Sequence, residues 1–134
     1  MKHYRFFAVI LLFISCGDEI QFNDPIEDHP ILGTWEINSR SMNGISSLVI
    51  ECCEFLEFSL DDDRMDQIGL LSYKDPYSEK LGTFYLLAKT DSLSLELDYR
   101  TIRGSLKFSE SLNVLSFSYE DRDQYIMEGW VKVN

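Results

Sequence analysis

The sequence predicts an all-β fold: an antiparallel up-and-down meander of about eight short strands that closes into a small barrel. Three observations carry this expectation. From Pro30 onward, apolar residues alternate with polar ones instead of recurring at helical spacing, most strictly in Ser92-Leu93-Ser94-Leu95-Glu96-Leu97-Asp98-Tyr99. Turn-forming clusters punctuate these runs, so successive strands are joined by short connections and lie antiparallel. Finally, 134 residues with 45% hydrophobic content suit one domain with its own core, despite a net charge of −11. Closing such a meander into a barrel removes the exposed strand edges that invite aggregation.

The chain opens on a segment of a different kind. Lys2 and Arg5 precede nine apolar residues at 6–14, followed by Ser15-Cys16-Gly17-Asp18-Glu19. A basic start, a short apolar stretch and a small residue before the break describe a secretory signal. Nine residues are too few to cross a bilayer, which takes about 20. Leu12-Phe13-Ile14-Ser15-Cys16 resembles the lipobox of bacterial lipoproteins, although Phe13 stands where that family usually has Leu. The resemblance implies cleavage after residue 15, acylation of Cys16 (palmitate among its chains), and a membrane anchor at the outer membrane, on its outer face or in the periplasm. Cleavage would leave 119 residues, with ten basic side chains against 23 acidic ones. Residues 16–29 then read as the lipidated Cys and an acidic, self-repelling tether carrying Asp18, Glu19, Asp24, Glu27 and Asp28. Residues 30–134 form the barrel domain.

Within that domain the alternating runs place strands at 32–41, 50–60, 65–73, 81–89, 92–100, 103–109, 113–120 and 123–133. The turns between them are marked by Asn43-Gly44, Asp61-Asp62-Asp63, Asp75-Pro76, Thr90-Asp91-Ser92, Arg103-Gly104, residues 110–113 and residues 121–123. The stretch 45–53 fits a strand, a loop or a helical turn. Gly129 marks a bulge or bend in the last strand. The inward set expected from the alternation is Trp35, Ile37, Leu56, Phe58, Leu70, Phe84, Leu86, Leu95, Leu97, Leu106, Phe108, Leu115, Phe117, Tyr119 and Met127.

Ile31-Leu32-Gly33-Thr34-Trp35-Glu36-Ile37 resembles the Gly-x-Trp opening strand of lipocalins and of lipocalin-like bacterial lipoproteins. The resemblance extends through Phe55-Leu56-Glu57-Phe58, Gly82-Thr83-Phe84-Tyr85 and the strand at 92–97. It implies that the Trp packs across the closed end of the barrel and that the Gly lets the chain pass close by. In lipocalins a late Arg often stacks on that Trp; here the final strand offers Lys132. The resemblance also implies a ligand held inside the barrel. The residues it nominates are Trp35, Leu56, Phe58, Phe84, Leu95, Leu97, Phe108, Phe117 and Tyr119.

The catalytic inventory is thin. His3 falls in the signal and His29 in the tether, so the barrel has no histidine for a nucleophilic triad, and no enzymatic activity is expected. No cofactor is expected either. Asp61-Asp62-Asp63 could offer oxygens to calcium but lacks the rest of a calcium loop, so it reads as a turn. Cys52-Cys53, placed in a strand, would point to opposite faces, and they read as one buried and one surface thiol. The acidity excludes nucleic acid as a partner. Two functions stand ahead of a third, a small hydrolase motivated only by the many carboxylates, which would need two convergent acids in a cleft. The first is binding a small apolar molecule in the lumen. The second is a packed barrel that meets another envelope protein through an aromatic patch near Tyr73, Tyr77, Tyr85 or Trp130. An apolar interior serves as core or as pocket, so composition does not separate them.

Overall fold

A computed structural model describes residues 26–47, 49, 53–64, 66–87, 89 and 91–133. The signal segment 1–15, Cys16, most of the acidic tether and Cys52 lie outside them. Among the described residues the chain forms a short 3-10 turn at Ile26–Asp28 and nine strands. These are β1 (Gly33–Met42), β2 (Ile45–Ser47), β3 (Phe55–Leu60), β4 (Ile68–Lys74), β5 (Glu79–Leu87), β6 (Ser92–Leu97), β7 (Arg100–Phe108), β8 (Val114–Asp121) and β9 (Gln124–Lys132). Every neighbouring pair is antiparallel, and β9 returns to pair with β1. The result is a closed eight-stranded barrel, with β2 as an extra strand hairpinned onto the end of β1. The expected all-β barrel is therefore the observed one.

Tight turns set the register. Asn43-Gly44, Asp98-Tyr99 and Arg122-Asp123 each take positive φ at both central residues. That is the two-residue turn whose twist matches antiparallel strands, and Asn, Asp and Gly tolerate it best. Two sequence expectations fail here. Arg103-Gly104 is not a turn: the chain reverses at Asp98-Tyr99, and both residues lie inside β7. Gly104 is small because a Cβ there would sit 2.2 Å from the Ser118 carbonyl oxygen of β8. The strand expected at 50–60 begins only at Phe55, and part of the ambiguous stretch before it, Ile45–Ser47, is strand.

The closed end is packed solid. Trp35 is fully buried, and its indole N–H donates to the Ile31 carbonyl at 2.7 Å. Phe108 packs against it at 6.0 Å between ring centres, and Phe58 meets Phe84 edge-on at 5.1 Å. Each such buried side chain contributes about 1.5–3 kcal/mol relative to exposure. Lys132 lies over the Trp35 ring, 5.2 Å from its centre, and donates to the Pro30 carbonyl at 3.0 Å. Gly33 makes room: a Cβ there would lie 3.2 Å from the Lys132 side chain. Within the stretch 16–29 expected as tether, the described residues Ile26 and His29 make contacts with the barrel. Ile26 is 2% exposed and joins the core beneath the barrel. His29 packs edge-on against Phe108, and burial lowers its pKa below the usual histidine value.

The strand faces follow the alternation except where both faces are apolar. Leu70 is 48% exposed, and its neighbour Leu71 faces the core instead. Met127 likewise points outward at 45% exposure, while Ile126, Glu128 and Trp130 face inward. The irregularity expected at Gly129 is present, but the extra residue is on the partner strand. Ile37 pairs with Trp130 and Ser39 with Gly129, leaving Asn38 as a bulge in β1. A Cβ at Gly129 would meet the Ser39 hydroxyl at 2.5 Å.

Candidate functional site

The β1 bulge shapes the interior of the open end. Strict alternation from Trp35 and Ile37 would turn Ser39 inward. The inserted Asn38 resets the phase, so Ser39 is exposed and Arg40 turns into the barrel. There its Nε donates to Glu128 Oε1 at 2.8 Å. Its Nη2 donates to Glu54 Oε2 at 2.7 Å, with a longer Nη1 contact to Glu54 Oε1 at 3.4 Å. Two phenols complete the cluster. The Tyr73 hydroxyl donates to Glu54 at 3.2 Å, and the Tyr119 hydroxyl donates to Glu128 at 3.4 Å. One guanidinium is thus clamped between two carboxylates, and each carboxylate is capped by a tyrosine.

The electrostatics follow from burial and charge. Burial, reinforced by the Glu54 carboxylate, pushes the Tyr73 phenol up to about 12. Burial and then Glu128 raise Tyr119 in the same direction. Burial opposes the charge on Arg40, but the bonds to Glu54 and Glu128 outweigh it, so the guanidinium is held more firmly protonated than usual. Both tyrosines are therefore neutral donors near neutral pH, and the cluster keeps an excess of one negative charge.

Above this cluster lies a cavity of about 470 Å³ that opens at the mouth of the barrel. Its apolar wall is Leu56, Leu95, Leu97, Ile102, Phe117 and Trp130. Its polar wall is Arg40, Tyr73, Tyr119 and Glu128, with Asp75, Lys80, Asp98 and Arg100 around the rim. At the rim, Lys80 faces Asp98 at 3.6 Å and Arg100 pairs with Asp121. The backbone N–H of Tyr77, with the hydroxyl and N–H of Ser78, holds the Asp75 carboxyl below its usual range. Trp130 is 1% exposed, and its indole N–H has no acceptor among the described residues.

Of the residues nominated from sequence, the structure brings Leu56, Leu95, Leu97, Phe117 and Tyr119 to the cavity. Trp35, Phe58, Phe84 and Phe108 belong to the packed closed end instead. Sequence reasoning missed Arg40 because the bulge hides its phase. It missed Glu128 because taking Met127 as inward turns Glu128 outward by alternation. Tyr73 and Trp130, expected in a surface patch, face the lumen; Tyr77 is exposed. Cys53 is not a free thiol: it is disulfide-bonded, and it lies outside any strand, so the opposite-face argument does not apply. The Asp63 N–H donates to Asp61 Oδ1 at 2.8 Å, as a turn requires. Among the described residues no helix is long and apolar enough to cross a membrane. No family model matches the chain, and no curated protein matches it.

Proposed function

We propose that the protein is an envelope lipoprotein, anchored through acylated Cys16, whose lipocalin-like barrel holds one small molecule in the cavity at its open end. The observation that carries the binding reading is the division of the interior. The closed half is filled by Trp35, Phe58, Phe84 and Phe108, whereas the open half keeps about 470 Å³ between an apolar and a polar wall. That volume lies within the range of small-molecule pockets, roughly 300–1,000 Å³. A barrel selected only for stability would fill this space with side chains. Fourteen side chains of mixed character line it, so the ligand expected is amphipathic rather than purely apolar. Gly33-x-Trp35, capped by Lys132, supports the lipocalin-like assignment, and the lipobox-like run before Cys16 supports the anchor.

Native mass spectrometry of the purified protein after incubation with an envelope lipid and metabolite extract tests the binding. A retained small-molecule mass, lost when Phe117→Arg fills the cavity, is the expected result. A bare protein under all conditions would return the second reading, a barrel that serves protein contacts alone. Labelled palmitate tests the anchor: label on the wild type and none on Cys16→Ser is expected, and an unlabelled wild type would refute it.

A further inference from the structure

The cavity's charge and its unpaired donor specify the polar end of the ligand. This inference rests on the binding role proposed above. With their ion-pair partners included, the lining groups comprise five carboxylates (Glu54, Asp75, Asp98, Asp121 and Glu128) against three cations. Each of the three cations has a carboxylate partner among the described residues. Arg40 is held by the partly buried Glu54 and the buried Glu128, and Lys80 and Arg100 are paired at the rim. Glu128 is 6% exposed and uses Oε1 for both Arg40 and Tyr119. Two residues along the same face of β9, the cavity-lining Trp130 has a buried indole N–H with no partner among the described residues. A buried carboxylate in a site with surplus negative charge favours a cation, and an unpaired buried donor favours an oxygen acceptor beside it. The Trp130, Phe117 and Tyr119 rings add faces that attract a cation, and the acidic protein as a whole draws cations toward the mouth.

From these contacts we infer that the cavity selects an amphipathic organic cation: a protonated amine carrying a neighbouring oxygen, its ammonium at Glu128, its oxygen at the Trp130 N–H and its apolar body against Leu95, Leu97 and Phe117. A fatty carboxylate of the same length is excluded by the same geometry. Its head would meet the two carboxylates that already neutralise Arg40.

The test is a tryptophan-fluorescence titration of the purified protein with four probes of one chain length: aminodecanol, decylamine, decanol and decanoate. Both amines are expected to bind about tenfold or more tightly than decanoate, the difference shrinking at high salt. Glu128→Gln, which keeps the Arg40 and Tyr119 contacts in shape, is expected to remove most of that preference. Decanoate or decanol binding as tightly as the amines retains a binding cavity and overturns the charge assignment. No binding by any of the four tells against the binding role itself. The wild-type comparison stands alone should the variant fold poorly.

Discussion

Replacing Arg40 with Met offers the sharpest test of the ionic cluster. The substitution keeps much of the side chain's apolar stem and deletes the guanidinium. Glu54 and Glu128 then face each other with no cation between them. Their side chains are 16% and 8% exposed, so water reaches them poorly. Removing one partner of a fully buried pair costs about 3–5 kcal/mol. Arg40 retains 26% exposure toward the cavity, which brings the expected cost to about 2–4 kcal/mol. For a domain of this size that lowers Tm by on the order of 10 °C. Denaturant unfolding at neutral pH, with Tm from calorimetry, reads it directly. The triple variant Arg40→Met, Glu54→Gln, Glu128→Gln is expected to recover at least half of the loss, because the uncompensated carboxylates and not the missing Arg drive it. An Arg40→Met variant within about 0.5 kcal/mol of the wild type would refute the reasoning, since that is the range of ordinary surface substitutions. A triple variant less stable than the single one would refute it as well.

Gly82→Ala would place a Cβ 1.8 Å from the Glu96 carbonyl oxygen, and Gly104→Ala one 2.2 Å from that of Ser118. Each should cost about 1–3 kcal/mol or more in denaturant unfolding, and a neutral result would contradict the strand spacing described. Lys132→Met should cost about 1 kcal/mol by removing the cation over Trp35 and the bond to the Pro30 carbonyl, whereas Lys132→Arg should retain most of the stability. The two phenols predict an alkaline limit. Folding raises Tyr73 to about 12, above the unfolded value of about 10, so the folded state holds its proton longer. The stability this contributes is complete below about pH 10 and falls as pH rises through the folded value, and Tyr119 acts in the same direction. Tyr73→Phe should flatten part of that fall in melts taken across the alkaline range, and an unchanged slope would count against the Glu54 contact.

The barrel was legible because half-buried strands carry their geometry in a period of two, and because Asn43-Gly44 and Asp75-Pro76 mark turns by their own backbone preferences. Legibility failed where that period was ambiguous. Leu70-Leu71 and Ile126-Met127 are apolar on both faces, so one wrong parity exchanged inside for outside. The candidate site suffered more than the core. Arg40 enters the lumen only through the Asn38 bulge, and a bulge leaves no pattern in the strand that carries it. Glu128 and Tyr73 were hidden by the expectation of an apolar lumen, yet each is satisfied by a partner distant in sequence. Lys132, the one candidate in the last strand for the stack on Trp35, does take that place.

In the proposed function the open half of the barrel is a binding cavity, and the closed half is a solid core. The protein's two tryptophans lie one in each half, Trp130 in the cavity wall and Trp35 in the packed end. Their indole N–H signals in a heteronuclear NMR titration with decylamine test this division most directly. The Trp130 signal is expected to move and saturate while the Trp35 signal, fixed by its bond to Ile31, stays in place. Movement of Trp35 with Trp130 unmoved would contradict it.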